Sequence, residues 1–141
     1  MKTSNAGISL IERWELFLSE PYQDAIGVWT IGFGHTRDVT ENTLPITIEQ
    51  ARELLKQDVW YVEGFINNNL NLKQCQFDAL VSLLFNIGTG IKSTHLYHYL
   101  ETDPDSRRVA DEWIEFRKAG GKYLRGLLRR RLDELLLYYS W

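Results

Sequence analysis

Apolar positions follow two different rhythms along this chain. From about residue 47 onward they recur at helical spacing, whereas residues 19–40 alternate over short stretches broken by glycine. A first helix is predicted ahead of the glycine-broken region. At about 100° per residue, Ile8, Leu10, Ile11, Trp14, Phe17 and Leu18 share one broad arc. "TIEQARELLKQDVWYVEGFINNNL" opens with Thr47 and Gln50 spaced as a capping box and predicts one long helix. Its inner face collects Ile48, Ala51, Leu54, Leu55, Val59, Val62, Phe65 and Ile66. "LKQCQFDALVSLLFNIG" is almost wholly apolar after Phe77, which predicts a central buried helix stopping near Gly88. Helices over 93–101, 105–118 and 122–139 follow, the last two parted at Gly120 and Gly121.

Between the first two helices, "YQD" and "VWTIGF" flank Ala25, Ile26 and Gly27, a short connection suited to a hairpin. Alternation sets Trp29, Ile31 and Phe33 on one face and Val28, Thr30 and Gly32 on the other. Gly32 and Gly34 permit close approach by a ligand or unusual dihedrals, or simply accommodate the strand's twist. The fold class is therefore α+β: one N-terminal helix, a small β-region over about 19–40, and a helical body over about 47–139.

Composition adds limits to this picture. At 141 residues, with 44% apolar and 25% charged residues, the chain reads as one globular domain over 1–141. Cys75 is alone, so no intramolecular disulfide is possible. No run of about eighteen apolar residues offers a membrane span, and "MKTSNAGISLIERWE" lacks the basic-then-apolar order of a secretory signal. The expectation is no stable membrane insertion and a cytoplasmic start. The net charge of −3 is uneven. Residues 1–106 carry seven Lys/Arg against fourteen Asp/Glu, and residues 107–131 carry nine against three. That basic stretch either attracts a polyanion or forms two solvated helix faces.

Three charges intrude where apolar residues are expected. Glu15 falls within the arc of the first helix, Asp58 within that of the second, and Arg131 among Leu124, Leu127, Leu135 and Tyr138 in the last. Glu15 either bends out to water at the rim or sits among apolar neighbours, where desolvation favours a protonated carboxyl of the kind a general acid needs. Buried charges need partners, so each of the three predicts one.

The spacing Glu15, eight residues, Asp24, five residues, Thr30 resembles the Glu-x8-Asp-x5-Thr signature of the phage-type lysozymes, glycoside hydrolase family 24. "GVWTIGFGHT", "QFDALVSLLFNIGTG" and "LRGLLRRRLDE" are similar to three segments of that family's lambdoid-phage branch, in the right order over essentially the whole chain. Leu16 stands where the family has glycine after the acid, which predicts a different backbone turn there. The resemblance implies a lysozyme-like fold with a cleft between hairpin and helical body. It also implies hydrolysis of the β-1,4 bond between N-acetylmuramic acid and N-acetylglucosamine in peptidoglycan, with inversion and with no metal or cofactor. By match, Glu15 is the general acid, Asp24 acts on the attacking water and Thr30 helps hold it, the two carboxylates that glycoside hydrolysis requires.

The same match lines the cleft with Phe33 and Thr36 on the hairpin side and with Phe85, Ser93 and Thr94 opposite. It pairs His35 with Asp58, and it brings Arg131 to Glu15, with Arg130 the substitute and Glu134 a competitor for Arg131. A monomer is expected, released to the wall through a holin-like pore. A peptidoglycan binder without activity is the alternative. A nucleic-acid binder using residues 107–131 leaves Glu15, Asp24 and Thr30 without a role, so no nucleic-acid partner is expected.

Overall fold

The computed structural model describes all residues, Met1–Trp141. Helix α1, Asn5–Trp14, starts at Ser4, whose hydroxyl accepts from the Ala6 N–H and whose N–H donates to Asp78 Oδ1 at 2.9 Å. Ile8, Leu10 and Ile11 face the core. The helix ends one residue before Glu15, which is extended at φ −93°, ψ 114°. Phe17 and Leu18, placed on the helical arc by periodicity, instead belong to the turn and to strand β1, Leu18–Gln23. An apolar residue every third or fourth position survives a short helix followed by a strand, so periodicity alone overran the end. Leu16 is 80% exposed, and Asp38 is the sole non-glycine residue with a positive φ. The family's glycine is thus not needed for the backbone path here.

β1 pairs antiparallel with β2, Trp29–Gly32, in the register Tyr22 opposite Thr30 and Gln23 opposite Trp29. Thr30, Ile31, Gly32 and Phe33 are all buried, so the strand is covered on both faces rather than alternating. Helix α2, Ile48–Asp58, covers the Gly32 side: a Cβ built there would lie 3.0 Å from the Ala51 Cβ and 3.3 Å from Ile46 Cδ1. The close approach at Gly32 is made by a helix, not a ligand.

Thr47 and Gln50 form the expected capping box on α2. The single long helix read from sequence is two. The chain breaks at Val59 (φ −77°, ψ −5°) and resumes as α3, Trp60–Asn69. Val59 and Val62 both have zero exposure, so the bend leaves the apolar spacing intact and is invisible to it.

Helix α4, Gln74–Ile87, ends at Gly88 and runs through the centre, packed against α1, α3 and the last helix. Phe77, Leu80, Leu83 and Leu84 are buried along it. Helices α5, His95–Thr102, and α6, Arg107–Ile114, follow. The helix expected over 105–118 stops at Ile114. Strands β3, Lys118–Ala119, and β4, Lys122–Tyr123, then form a second hairpin. Its central Gly120 and Gly121 have φ of 57° and 78°, the consecutive positive values that a tight two-residue hairpin requires. Helix α7, Arg125–Tyr138, closes the body against α4 and α6, with Trp113 and Tyr138 stacked edge-on at 5.2 Å. No helix is long and apolar enough to cross a membrane.

Candidate active site

Because α1 ends at Trp14, the side chain of Glu15 leaves the helix toward the groove between hairpin and body. Its N–H still caps Ile11 O at 2.8 Å, which fixes the residue. Oε1 accepts from Arg130 Nη1 at 2.8 Å, and the side chain is 26% exposed. It borders a cavity of about 600 Å³ that Gly34 and Thr36 line from the hairpin side and Phe85 and Asn86 from α4. Asp58, Trp60 and Tyr61, around the α2–α3 break, form a third wall with Arg37.

The arginine expected on Glu15 was Arg131; the one that reaches it is Arg130. Arg131 is fully buried, donating from Nη2 to Asn86 Oδ1 at 2.9 Å and to Glu134 Oε1 at 3.0 Å, and from Nη1 to Phe116 O at 3.2 Å. Its Nε lies 2.8 Å from Glu134 Oε2, within ion-pair range, although that N–H is not aimed well enough to count as a hydrogen bond. Burial pushes the Arg131 guanidinium down, and the neighbouring Glu134 charge pulls it back up. The apolar arc of α7 could not separate the two arginines, since both lie inside the protein.

His35 Nδ1 lies 2.7 Å from Asp58 Oδ2, and Arg37 Nη2 lies 3.7 Å from Oδ1 of the same carboxylate. His35 is buried and Asp58 half-buried. This pair ties the loop after β2 to the end of α2, and so fixes the hairpin relative to the body.

Asp24 sits in the first hairpin turn. Its Oδ1 accepts from the N–H groups of Ile26 (3.0 Å) and Val28 (2.9 Å), while Oδ2 has no hydrogen-bond partner within the chain. Thr30 is buried on β2, its hydroxyl donating to Val28 O at 3.0 Å. Neither Asp24 nor Thr30 is among the residues lining the Glu15 cavity.

Of the expected lining, Thr36 and Phe85 are in place. Phe33 is not: it is 3% exposed and packs against Phe17 at 5.5 Å, because β2 is covered on both faces. Ser93 is exposed in the turn before α5 and lines neither this cavity nor its neighbour. Thr94 caps α5, accepting from Tyr97 N–H, and lines an adjoining cavity of about 440 Å³ that shares Asn86 with the first. Sequence reasoning missed Arg37, Trp60, Tyr61 and Asn86. Trp60, 63% exposed and off the apolar arc of its helix, was the one with a legible signal: a large aromatic on a polar face.

A helix that hands a carboxylate to a groove, a hairpin across from it and a helical body behind define a lysozyme-like glycoside hydrolase. The family model described as phage lysozyme matches residues 12–134. The chain belongs to the phage lysozyme family. It is 37% identical to the endolysin of Salmonella phage P22 and 36% identical to that of Acyrthosiphon pisum secondary endosymbiont phage 1, each alignment covering 99% of both chains. Against the endolysin of Bacillus phage B103 it is 36% identical over 99% of its own length, but spans only 55% of that relative. Among solved structures, the muramidase domain of SpmX from Asticaccaulis excentricus superposes with a TM-score of 0.88 at 32% identity, covering 98% of this chain and 97% of that one. A mutant form of P22 lysozyme gives 0.85 at 35%, covering 97% and 98%.

Proposed function

We propose that this chain is a muramidase that cleaves the β-1,4 bond between N-acetylmuramic acid and N-acetylglucosamine in bacterial peptidoglycan, with inversion. The observation that carries this reading is Glu15 itself: a carboxyl at the mouth of the cleft, held in one place by a buried arginine and facing the hairpin. In the reading, Glu15 protonates the leaving oxygen while Asp24 takes a proton from a water on the opposite face of the sugar, and Thr30 helps hold that water. Two features of Asp24 support the role. One oxygen is committed to the turn, which fixes its direction, and the other is free to accept a proton.

Glu15→Gln keeps the shape but has no proton to donate, so turbid suspensions of purified cell walls should not clear while circular dichroism stays that of the parent. Asp24→Asn keeps an acceptor for the turn and removes the charge, so it should fold and clear walls at least about a hundredfold more slowly, the scale of a lost general base. Early-time NMR of the released sugars tests stereochemistry. Predominantly α product from the β-linked substrate supports inversion, and predominantly β product rules it out.

The wall is reached, in this reading, through a lesion made by a holin-like protein after folding in the host cytoplasm. Expression without a pore-former should leave cells intact. Lysis on expression alone would instead group the chain with relatives such as the SAR-endolysins of Haemophilus phage HP1 and Enterobacteria phage P21. The catalytic groups invoked all come from one chain, so activity should run with the monomer peak in size exclusion.

A further inference from the structure

Glu134 has no part in the chemistry just described, yet it is the most enclosed carboxylate in the molecule, with no solvent exposure. It lies where α4, α6 and α7 meet. Oε1 accepts from Ser82 Oγ at 2.8 Å, Arg131 Nη2 at 3.0 Å and Arg130 Nε at 3.2 Å; Oε2 accepts from Trp113 Nε1 at 2.9 Å. From this one anchor the two arginines reach the cleft separately. Arg130 Nη1 meets Glu15, and Arg131 Nη2 meets Asn86.

With Glu15 ionised, the charges of Glu15, Arg130, Arg131 and Glu134 cancel. With Glu15 protonated, one positive charge remains. Without Glu134, Arg131 would lose its one carboxylate partner and Arg130 would keep Glu15 alone, leaving one buried cationic charge uncancelled beside the Arg130–Glu15 pair. We propose that Glu134 is a positioning residue of this active site: it fixes Arg130 against Glu15 and cancels one arginine charge, so that the cluster behind Glu15 carries a single net positive charge. This rests on the reading of Glu15 as the acid.

Other charges around the site are accounted for. On α7, Asp133 is taken up by Arg13 and Trp14 of α1. Across the cavity stand Arg37, Tyr61 and Asp58, the last bound to His35. None of these touches Glu134.

The test follows the Glu15 carboxyl by carbon-13 NMR titration in the full chain, alongside wall clearance against pH. It uses Glu134→Gln, Arg131→Gln and the double variant. Glu134→Gln should lower the Glu15 midpoint, and the pH above which clearance fails, by on the order of one unit. Arg131→Gln should move both upward, and the double variant should return them close to the parent. A folded Glu134→Gln protein with an unmoved Glu15 midpoint overturns the proposal. Should that variant fail to fold, Arg131→Gln decides, and an absence of upward movement overturns it equally. Midpoints that shift while the clearance profile stays put uphold the coupling and overturn Glu15 as the acid.

Discussion

Gly7 and Gly64 both lie inside helices, where alanine is intrinsically better by about 1 kcal/mol. The surroundings separate them. An added Cβ at Gly64 meets nothing within 4 Å, so Gly64→Ala should realise most of that gain. At Gly7 the same atom would lie 2.6 Å from Thr3 Cγ2, 2.9 Å from Asp78 Cβ and 3.0 Å from Asp78 Cγ. Neither neighbour yields without loss. Thr3 is held by two hydrogen bonds to Glu63 Oε1, and Asp78 holds the N–H and hydroxyl of Ser4, the cap of α1. Overpacking of this kind costs roughly 1–3 kcal/mol. Loosening one hydrogen bond to a carboxylate adds roughly 1.5–3 kcal/mol. Against a gain of about 1 kcal/mol in propensity, Gly7→Ala should destabilise by about 1.5–5 kcal/mol. Thermal unfolding followed by circular dichroism should then show a midpoint lower by roughly 5–15 °C, and Gly64→Ala a small rise. A Gly7→Ala midpoint at or above that of the parent would refute the reasoning, since propensity would have outweighed the contact.

The same N-terminal anchor makes an acid-stability prediction. Burial pushes the Glu63 carboxyl up, but hydrogen bonds from Lys2, the Thr3 N–H and the Thr3 hydroxyl outweigh it and hold the group below its ordinary value of 4.5. A depressed folded value means that the stabilisation is complete above the unfolded value and is lost as pH falls through the folded one. Between about pH 6 and about pH 3, Glu63→Gln should start less stable than the parent and lose less on acidification; parallel curves would count against this. A second pair separates core from cleft. Phe33→Ala should cost about 3–5 kcal/mol and lower the melting midpoint, as for any buried phenylalanine. Trp60→Ala should change stability by no more than about 0.5 kcal/mol while slowing wall clearance, because Trp60 is exposed on the cavity wall. Equal stability losses in the two would place Trp60 in the core instead.

What the sequence determined by itself is local or nearly so. The capping box at Thr47 and Gln50, the stop at Gly88, the hairpin around Gly27 and the apolar α4 each depend on residues a few positions apart, whose preferences act before any tertiary contact. The intrusion of charge into apolar arcs was also legible, and Asp58 and Arg131 have partners in the structure. What the sequence lacked was direction. A bend at Val59 preserves apolar spacing, a strand after Glu15 continues it, and Gly120 and Gly121, which read as a break between two helices, turn a hairpin instead.

Only tertiary packing chose between Arg130 and Arg131 for Glu15. On one helix the two differ by a single residue and both point inward, and the choice was made by Glu134, Ser82 and Trp113, which come together from three helices. Packing likewise buried Phe33 by laying α2 over one face of β2, and it turned Trp60 and Tyr61 into the cleft through the break at Val59. Hydrophobicity pulls a residue out of water without specifying which neighbour it meets. Identity of neighbours is settled by shape and by the need of every buried charge for a counter-charge, and both of those exist only once the helices are assembled.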